Sequence, residues 1–175
     1  MKDEWVVLVN EHDNELGVME KLKAHAEAKL HRAISVFIFN SKKELLLQKR
    51  AATKYHSANL WTNTCCSHPK PNETTLEAAI RRLQEEMGIT CNLKFAFSFI
   101  YKEKLENDLF EHEFDHVFIG YSDEVPRINV NEASEYKYLS MQEIEKQLKQ
   151  NPEIFTVWFK LIFQKIKDEI NKTNL

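Results

Sequence analysis

Residues Glu73–Ile89 read ETTLEAAIRRLQEEMGI, and this stretch decides the fold. Leu76, Ala79, Ile80, Leu83 and Met87 recur at the spacing of one helix face. Thr74 followed three residues later by Glu77 forms a capping box, and Gly88 stands where a helix terminates on a left-handed residue. At about 100° per residue, Arg82 and Glu86 fall beside the apolar arc while Arg81 and Glu85 point away from it. An ordinary solvated helix laced with Arg/Glu pairs satisfies the same pattern, so the surroundings must separate the two readings.

Those surroundings alternate strands and helices. Upstream, Trp5 to Val9 reads as a strand ending in a turn-like Asn10 to Gly17, and Val18 to Lys29 is mixed and mostly polar. His31 to Asn40 (HRAISVFIFN) is rich in β-branched and aromatic residues and predicts a strand, with Leu45 to Lys49 as its hairpin partner. Arg50 to Pro71 has no period of its own and reads as a long loop, a feature that is usually functional in a compact domain. Downstream, Leu93 to Tyr101, Glu111 to Tyr121 and the short Tyr136 to Leu139 read as strands. Met141 to Gln150 and Pro152 to Ile170 read as closing helices, with Pro152 in a first turn. Without a regular βαβ rhythm, this order predicts a mixed β-sheet between helices, α/β or α+β in class.

Composition sets the outer bounds. The 175 residues are 43% hydrophobic and 29% charged with only 3 Gly and 4 Pro, which fits one domain over residues 1–175. A net charge of −3 excludes a general field for nucleic acid, so any bound anion must be held by a local cluster of Lys and Arg. The apolar run Trp5 to Val9 is too short for a signal-peptide core, and Ile154 to Ile166, broken by Lys160, is no membrane span. The terminal Thr-Asn-Leu is not a peroxisomal address. Three cysteines, Cys65, Cys66 and Cys91, make no disulfide framework and point to a reducing, cytoplasmic compartment.

From Ser67 to Ile89 the sequence resembles the Nudix box: Glu73, Arg81, Leu83, Glu85, Glu86, Gly88 and Ile89 stand at matching positions. Ser67 replaces the first glycine of that box, and Arg82 replaces a glutamate. A Nudix-type hydrolase gathers carboxylates around Mg²⁺ to activate water at a phosphate. A guanidinium in that set removes a ligand and adds a clamp for diphosphate.

Trp61-Thr62-Asn63-Thr64-Cys65-Cys66-Ser67-His68-Pro69 narrows the resemblance. With His31-Arg32-Ala33, Arg50, Lys54, Glu111-His112-Glu113 and Trp158-Phe159, it is similar to the type 1 isopentenyl-diphosphate isomerases, a branch of the Nudix fold, over almost the whole chain. The resemblance implies proton transposition across an allylic or homoallylic diphosphate, with Cys66 as catalytic acid/base and no inherited role for Cys65. Adding a proton at one alkene carbon and removing one two carbons away passes through a tertiary cation, which needs an acid and a base on opposite faces and no attacking water. Cys66 and Glu113 are that pair, with Tyr101 beside Glu113 as relay or hydrogen-bond partner, and Trp158 offers its ring to the cation.

The same resemblance implies a metal site of His25, His31, His68, Glu111 and Glu113, a donor set suited to Zn²⁺, Mn²⁺ or Fe²⁺. It further implies that Glu86 would bridge a second ion, Mg²⁺, to the diphosphate, whose other contacts would be Lys21, Arg50, Lys54, Arg82 and Ser67. His12, His56, His112 and His116 match no role. Two other readings stay open at this point: hydrolysis of a nucleoside diphosphate derivative, from the box alone, and a structural zinc on Cys65, Cys66 and His68.

Overall fold

The computed structural model describes residues 4–173, so Asn174-Leu175 and the first three residues, read above for targeting signals, lie outside it. Among the described residues nine strands form one mixed sheet: β1 (Trp5–Val9), β2 (Glu15–Glu20), β3 (His31–Phe39), β4 (Leu45–Arg50), β5 (Trp61–Thr62), β6 (Cys65–Ser67), β7 (Leu93–Lys104), β8 (Phe110–Tyr121) and β9 (Ala133–Leu139). The helices are α1 (Lys21–Ala26), α2 (Thr75–Met87), α3 (Met141–Gln150) and α4 (Val157–Thr173). No described helix is long and apolar enough to cross a membrane.

β3 organises the sheet. It pairs antiparallel with β1, β4 and β6, and parallel with β8 from His31↔Glu113 to Phe39↔Tyr121. Its near-continuous apolar run follows from burial on both faces. Phe37 and Phe39 pack with Phe159, Ile162, Phe163 and Ile166 of α4. Ile34, Val36 and Ile38 pack with Ala79, Leu83 and Met87 of α2. The period of two thus divides one strand between two cores, and the expected mixed sheet between helices is what forms.

Four local expectations are corrected. The loop from Arg50 to Pro71 contains β5 and β6, because Cys65–Ser67 completes hydrogen bonding along β3. The turn-like Asn10 to Gly17 ends earlier, because Glu15–Glu20 is β2 paired with β1, and Glu20 then caps α1 by accepting from Leu22 N and Lys23 N. Pro152 sits in a separate 3-10 turn, Pro152–Ile154, ahead of α4.

The fourth concerns α2. Leu76 and Ile80 are exposed, and the buried face is Ala78, Ala79, Leu83, Glu86 and Met87. The helix is rolled by roughly 60° from its most apolar arc, at about 100° per residue. The roll turns Glu86 inward, where Gln48 Nε2 and Arg82 Nη2 each donate to it at 2.8 Å. The capping box at Thr74 and Glu77 forms as expected.

Gly88 closes α2 at φ +65°, and a Cβ there would lie 2.8 Å from Arg127 Cβ and 2.9 Å from its carbonyl oxygen. Gly88→Ala should therefore destabilise the protein by more than the roughly 1 kcal/mol of left-handed backbone alone. The check is the urea midpoint at unchanged m-value; an unshifted midpoint would refute this account of the turn.

Candidate active site and metal centre

Strand register builds the centre. On β8 the period of two puts Glu111, Glu113 and Asp115 on one face. The parallel pairing sets His31 beside Glu113, and the antiparallel pairing with β7 sets Tyr101 on its other side. β6 carries Cys66 opposite Ser35 and leads into His68. α1 supplies His25.

One ligand atom from each of His25, His31, His68, Glu111 and Glu113 lies within 4.8 Å of all the others. That spread is close to the roughly 4 Å between opposite ligands around an ion with bonds of about 2 Å. His25 Nδ1 donates to Lys21 O at 2.7 Å and His31 Nδ1 donates to Lys29 O at 2.8 Å. Each such bond leaves Nε2 as the lone-pair nitrogen facing the centre, the usual support for a metal-ligating imidazole. His25 Nε2 and Glu111 Oε2 are buried 3.3 Å apart, and neither makes a hydrogen bond among the described residues. Unsatisfied buried polar atoms are costly, and a divalent cation among them would satisfy both. The donor set fits a metal, and all five residues singled out in the sequence are in it.

The electrostatics agree. Burial pushes His31 down to about 4, so its ring is neutral. Burial likewise holds His68 well below the ordinary histidine value. Burial disfavours the Glu111 carboxylate, but the rings of His25 and His56 outweigh it and hold it down at about 2. Glu113 moves the other way, raised by burial and by the charges of Glu111 and Asp115.

Beside this centre is an inner cavity of about 60 Å³ lined by Cys66, Tyr101, Glu113, Trp158 and Arg50. Tyr101 Oη donates to Glu113 Oε2 at 2.6 Å. Burial pushes the Cys66 thiol up to about 12, with the carboxylates Glu86, Glu113 and Asp115 adding to the rise. The Arg50 guanidinium lies 5.2 Å from the centroid of the Trp158 ring. Lys21, Lys54, Ser67, His68 and Arg82 line both this cavity and an outer one of about 450 Å³, where Lys70 and Arg81 add charge. The outer cavity is thus lined by mixed charge, with Glu4, Glu85 and Glu132 among its Lys and Arg side chains, while the thiol, carboxyl and indole line the inner one.

Cys65 and Cys66 point to opposite faces of β6. Cys65 packs in the α2 core and Cys66 against the α4 core. The metal-capable cluster contains neither thiol, which removes the basis for a structural zinc on the cysteine pair. The acids of the box are also engaged internally. Arg81 holds Glu73 through two bonds of 2.6 and 2.8 Å, and Arg82 contacts Glu85, Glu86 and Glu132.

The family model of the NUDIX domain matches residues 29–159. A Pectobacterium atrosepticum isopentenyl-diphosphate Delta-isomerase is 55% identical over 93% of this chain and 91% of its own length. An Aliivibrio fischeri protein of the same name is 47% identical over 98% of this chain and 99% of its own. The chain belongs to the isopentenyl-diphosphate Delta-isomerase family, within the NUDIX domain family. Among solved structures, a Deinococcus radiodurans protein matches with a TM-score of 0.78 at 20% identity, covering 93% of this chain and 98% of that one. A MutT protein from Methanosarcina mazei matches at 0.66 and 24%, covering 80% and 94%. At these identities the two structural matches speak for the fold alone.

Within this Delta-isomerase-family chain, sequence reasoning missed several residues at the site. Gln48 and Glu132, the partners of Glu86, Lys54 and Arg82, come from a strand interior and a polar loop with no local signature. Asp115 is buried, accepts from Ser35 Oγ at 2.8 Å, and is raised to about 7, chiefly by burial. Its i+2 spacing from Glu113 was the available signal. His56 is buried beside Glu111, although the sequence assigns it no role.

His31 yields a pH prediction for chelator-treated protein. The unfolded chain protonates this ring near 6.5 and the folded chain near 4. Between those values the unfolded state binds more protons, so the stability contributed by His31 is lost as pH falls through that window. Asp115 acts in the opposite sense, so the comparison must be with His31→Gln. Wild type should lose on the order of 3 kcal/mol relative to that variant between pH 7 and 4. Parallel urea midpoints across this range would contradict it.

Proposed function

We infer that this chain interconverts isopentenyl and dimethylallyl diphosphate by moving a proton across the alkene. The observation that carries the reading is the meeting of Cys66, Glu113 and Tyr101 in one inner cavity with Lys21, Arg50, Lys54 and Arg82. Lys21, Arg50, Lys54, Arg82 and Ser67 hold the diphosphate, and the hydrocarbon end extends inward. The family relationship of the full-length relatives supports the same reaction.

Cys66 and Glu113 act on the alkene from opposite sides. One delivers a proton to the terminal carbon, forming the new C–H bond as the π bond opens to a tertiary cation. The other removes a proton from the carbon next to the diphosphate-bearing one, and that C–H pair closes the new double bond. After one turnover the proton sits on the other member, so the pair must exchange with solvent before repeating the cycle. Tyr101, hydrogen-bonded to Glu113, is placed to carry that exchange. Trp158 walls the cavity with an aromatic surface and supplies no nucleophile. Proton transfer by such a pair contributes about 10²–10⁴-fold.

His25, His31, His68, Glu111 and Glu113 would hold Zn²⁺, Mn²⁺ or Fe²⁺. The ion would fix the Glu113 carboxylate and offset the repulsion among neighbouring acids. Glu86 would hold Mg²⁺ against the substrate diphosphate. The free thiols support a cytoplasmic setting.

Hydrolysis is the weaker reading. Arg82 replaces one carboxylate of the box, which removes a ligand from the set a hydrolase gathers around its metal.

Conversion to dimethylallyl diphosphate should be measured with and without chelator and should fail with it. Inorganic phosphate release with no allylic product would overturn the isomerase. Cys66→Ala should lose at least about 10²-fold in turnover while keeping its metal and its melting temperature. Glu113→Gln should lose incorporation of solvent deuterium into product; incorporation at the wild-type rate would remove Glu113 from the pair.

A further inference from the structure

We infer that His56 is a positioning residue for Glu111, holding that carboxylate so that its second oxygen faces the metal centre. The inference rests on the metal site proposed above. His56 is 4% exposed, and its Nε2 lies 3.3 Å from Glu111 Oε1. The other oxygen, Oε2, is the buried atom without a hydrogen bond that faces His25 Nε2. Each carboxylate oxygen thus meets a different imidazole, and the two rings present opposite chemistry. His25 uses Nδ1–H on a backbone carbonyl and turns a lone pair inward. His56 Nδ1 lies 3.3 Å from Ser57 Oγ, whose hydroxyl can donate to it, leaving the N–H on Nε2, the nitrogen that stands 3.3 Å from Glu111 Oε1.

The segment carrying His56 is held from several sides. Arg50 donates from Nη2 to His56 O at 3.1 Å and from Nε to Ser57 O at 3.2 Å. Ser57 N–H donates to Glu106, and Ser57 itself sits at φ +49°. Trp158 packs edge-on against the ring at 5.8 Å between centroids. A left-handed non-glycine residue and a buried imidazole both carry a cost, so the surrounding structure must hold them there. The ring's approach to Glu111 gives that arrangement a purpose.

The test uses full-length protein and Zn²⁺ in competition with a chromophoric chelator. His56→Leu keeps bulk and removes the donor; His56→Gln keeps an N–H near the position of Nε2. The leucine variant should bind Zn²⁺ about 10–100-fold more weakly, the usual cost of losing such an outer partner. The glutamine variant should recover most of that loss. Melting temperatures of the chelator-treated proteins supply the packing control.

Equal Zn²⁺ affinity in wild type and the leucine variant would overturn the inference. So would equal weakening in both variants that tracks a fall in melting temperature, because that pattern is packing alone. Wild-type protein that takes up no Zn²⁺ would sink the five-residue site, and this inference with it. That outcome is distinct from a wild type that binds tightly and a leucine variant that binds as well.

Discussion

β3 and β8 lie side by side in parallel for nine residue pairs, and their register, beginning at His31↔Glu113, is the constraint on which the rest of the site depends. Neither strand can slip by one residue without turning its apolar side chains out of one core and into the wrong one. The same lock that keeps Phe37 against α4 and Val36 against α2 therefore keeps His31 beside Glu113. Tyr101 and Cys66 inherit their positions from β7 and β6, which pair with these two strands.

Such a register places several ionisable groups where water is scarce. Burial pushes His31 and His68 toward neutrality and Glu113 toward its protonated form. An arrangement of this kind is poor as a folding device, since each group gives up hydration that its neighbours only partly replace. It is well suited to a cation, which wants neutral imidazoles and carboxylates with lone pairs aimed inward. The backbone carbonyls of Lys21 and Lys29 turn two of those imidazoles the required way.

α2 shows how one helix serves packing and chemistry together. Its roll exposes Leu76 and Ile80 and buries Glu86, against the simple rule that apolar residues go inward. The offset is the pair of 2.8 Å bonds from Gln48 and Arg82, which leave the buried carboxylate paired. Arg82, on the same helix, reaches toward Glu132 in the loop before β9. Where a hydrolase of this fold gathers carboxylates, this helix carries a balanced set of charges beside the cavity.

Much of this was written locally. The capping box and Gly88 bound α2, the β-branched run marks β3, and the alternation Glu111-x-Glu113 puts two carboxylates on one face whatever the fold around them. The order of the cysteine loop, the altered box and the closing tryptophan identified the family, and with it the five donors that the structure gathers. Other features have no local signal because their partners are remote in sequence. β6 exists only because β3 offers it hydrogen bonds, and the roll of α2 depends on Gln48, 38 residues away from Glu86. His56 meets Glu111 across 55 positions, joined by the path of a loop and by Arg50 beneath it. Residue type and spacing determined which groups this chain could bring to a site. Tertiary structure alone decided which of them touch, because contact between distant segments is set by register and packing.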